Sequence, residues 1–239
     1  MILAASLLFS AAAAQSAVKP PPPVLNPYGQ WQPNVAYVII GQDEAGYRAW
    51  NLADPRRVAR VSALSAYLNT YQVGGIVPTW QLLRTASDWQ KCGEQAFEVP
   101  PPEYWPNLVQ ALRFIHEQVV PAVGPVEVVS GYRNPTLNHC AGGARESAHR
   151  YYQAVDMVPL RPTTRDILIR DLCSAHARRG GPYGVGLGFY VGVRFHVDTR
   201  KYRSWGAEGP GAEACHVEPP ALPIAGPPQP APTSVPGTR

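Results

Sequence analysis

Apolar residues recur at three- and four-residue steps through several stretches of the chain. Val58, Val61, Leu64, Tyr67, Leu68 and Tyr71 line one face of a helix over 56–71, opened by Asp54-Pro55 and stopped by Gly74-Gly75. Trp105, Leu108, Leu112, Ile115 and Val119 mark the buried stripe of a helix over 103–120, introduced by Pro100-Pro101-Pro102. A third helix is capped by Thr163 or Thr164 and turns Ile167, Leu168, Leu172 and Cys173 inward. It runs to Arg179, where Gly180-Gly181-Pro182 breaks it. A shorter helix is expected over 78–89. Strand patterns appear at 35–40 and 47–50 about a turn at 42–46, at 126–130 and at 154–158. A hairpin about Gly192 joins 185–190 to 193–197. This order predicts an α+β fold: a small antiparallel sheet flanked by helices, with an N-terminal strand-helix extension.

Composition changes the picture at the two ends. The 239 residues include 27 prolines, many of them clustered before residue 33 and after residue 218. Residues 1–14 (MILAASLLFSAAAA) resemble the hydrophobic part of a secretory signal peptide, although no Lys or Arg precedes the apolar run. The run is too short to cross a bilayer, and no other window is apolar enough, so no transmembrane segment is expected. Residues 15–33 read as an extended Pro-rich linker and 218–239 as a disordered Pro-rich tail. Between them lie an N-terminal subdomain over 34–90, whose aromatics are read as core, and a larger domain over 91–217. The net charge of +4 comes without a basic run, which argues against nucleic acid as a partner and suits approach to an anionic polymer such as a cell wall. Four cysteines fit an exported protein, periplasmic or extracellular, with two disulfides. Three pairings are possible, of which Cys92–Cys140 with Cys173–Cys215 is preferred.

The candidate chemistry lies in the second half. Ser147-Ala148-His149 and Ala154-Val155-Asp156 are followed by His196-Val197-Asp198. Residues two apart on a strand share a side, so His196 and Asp198 project together. The gap between His149 and Asp156 suits a loop that bends back into a strand. Two imidazoles and one carboxylate are a donor set for zinc with an open corner for water. Arg133, at the end of the 126–130 strand, can hold a substrate anion. Each short motif alone is more often a structural pair, so the signal lies in their joint order. Tyr132, Tyr151 and Tyr152 are read as pocket walls and Ser147 as a ligand-orienting hydroxyl. His116 and His176 are read as structural, His139 as a neighbour of the cleft, and Trp205 as core.

The motifs SGYR (130–133), SAHRYYQAVD (147–156), GVGLGFY (184–190) and FHVDTR (195–200) together resemble the zinc D-Ala-D-Ala carboxypeptidases and murein endopeptidases, the LAS-type metallopeptidases of bacterial cell walls. The resemblance covers residues 100–206. It implies Zn2+ held by His149, Asp156 and His196, a substrate-anchoring Arg133, and hydrolysis of an amide next to a D-amino acid in peptidoglycan stem peptides or crosslinks. Peptidoglycan or a muropeptide is then the partner. Two positions depart from the family pattern. Tyr152 stands where glycine is usual, so a rebuilt loop and a narrowed pocket, with Tyr132, Ser147 and Tyr152 beside the substrate, are expected. Val193 stands where many members carry an acidic general base. Asp198 is then the first candidate for the base, Glu146 the second and His216 the third. The alternative is a non-catalytic, zinc-containing cell-wall binding module on the same fold.

Overall fold

A computed structural model describes residues 37–206 together with Ala214 and Cys215. The signal segment 1–14, the linker 15–33, the tail 218–239 and His216 lie outside the described residues.

Local capping decides the first helices. Asp43 accepts from the Gly46 amide at 2.7 Å, and Glu44 pairs with Arg48 one turn on at 2.6 Å. These contacts make α1 (Glu44–Leu52) a helix where the sequence pattern predicts a strand at 47–50. Residues 37–40 of the other expected strand are irregular, and 35–36 lie outside the described residues. Helix α2 (Pro55–Thr70) starts as predicted, with Asp54 capping the Arg56 amide and Pro55 at a position that has no N–H to lose. It buries Val61, Leu64 and Leu68.

The expected helix at 78–89 shrinks to α3 (Thr79–Leu82). The chain then runs extended, and Arg84 bridges Phe97. Arg84 is the cause: it is 1% exposed, donates to the carbonyls of Gln42 and Val128, and pairs with Glu127 at 2.9 Å. A buried guanidinium needs every donor satisfied, and a longer helix would carry it away from those partners.

Helix α4 (Trp105–Phe114) passes through a π turn (Ile115–Val119) into α5 (Val120–Val123), where Pro121 has no N–H to give the preceding turn. Short α6 (Pro135–Cys140) is capped by Asn134. Helix α7 (Arg165–Tyr183) is capped by Thr164 and runs past the predicted stop, through Gly180-Gly181-Pro182, to a left-handed Gly184. Gly180 is needed there, because a Cβ would lie 2.5 Å from the His176 ring.

The strands are β1 (Val126–Ser130), β2 (Ala154–Pro159), β3 (Gly186–Phe189), β4 (Phe195–Asp198) and β5 (Arg203–Trp205), in the order β1-β2-β4-β3-β5. The first four pair antiparallel. The fifth, which the sequence pattern missed, lies parallel to β3 at the edge. One core cluster runs from Val61 and Leu64 of α2 through Leu108 and Leu112 of α4 to Val155 and Val197 of the sheet, so α2 packs on the same core as the strands. Disulfides join Cys92 to Cys140 and Cys173 to Cys215. Among the described residues no helix is long and apolar enough to cross a membrane.

Candidate metal centre

Register brings the chemistry together. Asp156 on β2 lies opposite His196 on β4 and, on its other side, opposite Ser130 at the end of β1. The chain leaving β1 passes Gly131 and Tyr132 to Arg133, whose amide donates to the His149 carbonyl at 3.1 Å. His149 sits in a 3-10 turn (Ala148–Tyr151) capped by the Ser147 hydroxyl, which accepts from the His149 amide. Ligand atoms of His149, Asp156 and His196 all lie within 4.8 Å of one another, and all three side chains are buried.

The protonation pattern fits a cation. Burial and the neighbouring Arg133 lower the His149 pKa to about 4, so the ring is neutral at neutral pH. Its Nδ1 lies 2.7 Å from the Gly131 carbonyl, an acceptor only, so Nδ1 carries the proton. Nε2 then turns its lone pair to Asp156 Oδ1, 3.3 Å away. The positive charge beside these two acceptors comes from Arg133, whose Nη2 lies 3.3 Å from the same Nε2, and a metal ion would be a second source. His196 Nδ1 lies 2.8 Å from the same oxygen, while Nε2 lies 2.9 Å from Asp198 Oδ2. Burial disfavours the charged form of His196, but carboxylates at both ring nitrogens raise its pKa above the ordinary value. Burial likewise opposes ionisation of Asp156, yet the imidazoles of His149 and His196 and the Arg133 guanidinium hold its carboxyl well below the usual range. Two nitrogens and one oxygen around one point, with a carboxylate behind the second histidine, suit zinc.

Asp156 Oδ2 is clamped separately, by Arg133 at 2.7 Å and Arg194 at 2.6 Å. The Arg194 guanidinium lies over the Tyr190 ring, 4.7 Å from its centroid, and the Tyr190 hydroxyl donates to Asp156 Oδ1 at 3.1 Å. Neither residue was singled out from the sequence. The signal for Arg194 was available, since it alternates with His196 and Asp198.

Several expected roles change. Asp198 does share a side with His196, but it is fully buried, and both its oxygens are engaged: Oδ1 by the Arg200 amide and Arg203, Oδ2 by Arg203 and His196. It orients His196 and has no oxygen to spare for a proton-shuttling role. Gly186 makes room for it, because a Cβ there would lie 2.4 Å from Asp198 Oδ2. Val193 turns into the core, and its amide donates to the Tyr37 hydroxyl. Tyr132 and Tyr152 are not cleft walls. Both are buried and pack edge to face at 6.4 Å, and burial pushes the Tyr132 hydroxyl up to about 12. Tyr152 takes the left-handed conformation (φ 55°, ψ 30°), and its hydroxyl donates to the Leu82 carbonyl.

A cleft of about 460 Å3 opens over His149 and His196, with Asp156 buried beneath them. Arg133, Glu146, Ser147 and Tyr190 line it, with Asp88 and Trp205. Trp205, read as core, forms a cleft wall because it lies over Gly188, where a Cβ would meet its ring at 2.0 Å. Glu146 is exposed, with its carboxylate 3.5 Å from the Tyr151 hydroxyl.

No curated protein and no solved structure matches the chain. Residues 81–194 match the family model described as Peptidase M15. That stretch contains Arg133, His149 and Asp156 and ends just before His196. By this stretch, which builds β1 to β3 and carries Arg133, His149 and Asp156, the chain is similar to the Peptidase M15 family.

Proposed function

We propose that the protein is an exported zinc metallopeptidase that hydrolyses an amide next to a D-amino acid in peptidoglycan stem peptides or crosslinks. The observation that carries this reading is the meeting of His149 Nε2, Asp156 Oδ1 and His196 Nδ1 beside Arg133 at the floor of a cleft. Zinc on these ligands would polarise the scissile carbonyl and lower the pKa of a bound water toward about 7. Arg133 and Arg194 give the floor two guanidiniums that attract the carboxylate of a peptide end and the developing oxyanion. Asp198 keeps the His196 ring oriented. Glu146, on the cleft wall, takes the proton of the attacking water and passes it to the leaving amine; Asp88 is the other carboxylate lining the cleft. Export agrees with the substrate's location and with two disulfides, which form in oxidising compartments.

The test is digestion of purified muropeptides by the zinc-loaded protein. Release of D-amino acid or cleaved crosslinks, with kcat lowered about 10²- to 10⁴-fold in Glu146→Gln, supports the assignment. The burial of Val193 and the engagement of Asp198 favour a second reading, the zinc-containing binding module. Muropeptide binding without turnover by protein that carries one equivalent of zinc would establish that reading instead.

A separate expectation concerns Asp198→Asn. A residue behind a metal-bound histidine tunes affinity, so zinc binding should weaken about 10- to 100-fold, as read by competition with a chelator. Unchanged zinc affinity with lost turnover would return Asp198 to the role of base.

A further inference from the structure

A second cavity, about 670 Å3, lies between α2 and the segment that runs from Glu94 to Pro101. Asn134, the residue after Arg133, closes one side of it. Beside the Asp54–Arg56 ion pair, its walls carry two arginines and two glutamates that form no ion pair with one another among the described residues. Arg57 donates to the Trp50 carbonyl at 2.7 Å and to Gln95 Oε1 at 3.2 Å. Arg60 donates to the Val99 carbonyl at 2.9 Å and to that of Pro100 at 3.3 Å. Neither guanidinium pairs with a carboxylate among the described residues. Facing them, Glu94 Oε2 and Glu98 Oε2 both accept from the single Asn134 amide nitrogen, each at 2.9 Å. The other oxygen of each carboxylate meets no donor among the described residues.

This arrangement leaves both sets of charges open to a ligand as well as to water, since Arg60 is exposed and Glu94 and Glu98 are half-buried. Opposite charges that share one cavity ordinarily collapse into ion pairs; here main-chain carbonyls hold the arginines and one amide holds the glutamates. Burial raises the Glu98 pKa and the adjacent Glu94 charge adds to it, against the Asn134 hydrogen bond and the Arg60 charge. Two crowded carboxylates need a cation, and a group with several N–H donors can serve both at once. The arginines a helix away need an anion. A bare divalent cation would meet the first need and be repelled by the second. A molecule that carries an ammonium and a carboxylate meets both. The Trp50 ring, with the Arg57 guanidinium 5.0 Å from its centroid, adds an apolar surface for a short aliphatic part.

We propose that this cavity is a second binding site, which takes a zwitterionic amino-acid centre, free or borne on the side chain of a branched peptide, its ammonium between Glu94 and Glu98 and its carboxylate on Arg57 and Arg60. In naming a peptide as the natural ligand the inference rests on the peptidase reading. The chain just before this segment places Asp88 on the cleft, and the Cys92–Cys140 disulfide ties it to α6. A branched peptide substrate can therefore be held by one wall at two places.

The experiment titrates the full chain with diaminopimelic acid, whose two ends are both zwitterionic, and follows the Trp50 indole N–H by NMR. Pimelic acid lacks the ammonium groups and 1,5-diaminopentane lacks the carboxylates. Saturable shifts with the zwitterion, at least about tenfold weaker with either control and in Glu98→Gln and Arg60→Met, are expected. Glu98→Gln keeps the shape of the side chain it replaces and Arg60→Met keeps an unbranched stem, and an unchanged melting temperature shows that they fold. Absence of saturation in the native chain, or equal binding by the controls or variants, overturns the site. Zinc content and muropeptide turnover of the same samples report on the peptidase reading separately, since none of these four charged residues touches the metal centre.

Discussion

Asp156→Asn will strip the protein of zinc and of turnover, and will also destabilise the fold, a combination that His149→Ala will not produce to the same degree. Asp156 is fully buried, and it is the one carboxylate that meets His149, His196, Arg133 and Arg194 together. Asparagine offers one acceptor oxygen where five donors or ligand atoms now converge, and its NH2 would face guanidinium donors. Removing one partner from a buried charge network leaves the others uncompensated, at a cost of about 3–5 kcal/mol. In a domain of this size, about 2–4 °C is lost for each kcal/mol, so a fall in melting temperature on the order of 10 °C is expected. Metal analysis and a thermal melt on one preparation decide the matter. One equivalent of zinc retained in Asp156→Asn would remove the carboxylate from the ligand set and with it the proposed centre.

The same residue shows why the metal centre could be read from the sequence while its surroundings could not. A period of two on a strand states which side His196 and Asp198 face, and the β2–β4 register then sets Asp156 against His196. Periodicity does not state how deep a side chain lies. Asp198 faces the expected side, but β5 brings Arg203 over it, and β5 is a three-residue strand with no pattern of its own. The aromatic stretch at 47–50 misled for a related reason: its strand propensity was outweighed by the Asp43 cap and the Glu44–Arg48 pair, both written in polar residues just beside it. Arg84 could not have been anticipated as a core residue. Its three side-chain polar contacts come from segments more than forty positions away in either direction, and those contacts end α3 early.

Tyr152 brings the sequence departure and the structure into direct conflict, and a pair of variants can measure it. The left-handed conformation costs a non-glycine residue about 1–2 kcal/mol, which is the reason glycine is usual at this point of the motif. Against this, the Tyr152 side chain is fully buried. It packs on Tyr132 and reaches the Leu82 carbonyl on α3, joining the turn that carries His149 to the N-terminal helices. Emptying a buried aromatic site costs about 3–5 kcal/mol, so packing outweighs the backbone strain. Restoring glycine should therefore destabilise the protein by about 2–3 kcal/mol, the difference between the two effects. Tyr152→Ala leaves the same hole, save for one methyl, and keeps the strain. It should be less stable than Tyr152→Gly by about 1 kcal/mol, the reverse of the order found in ordinary helical positions. Urea unfolding of the two variants beside the parent reads both differences. If the alanine variant equals or exceeds the glycine variant, the backbone at 152 carries no strain, and the glycine of the family motif must be there for a reason other than its conformational freedom.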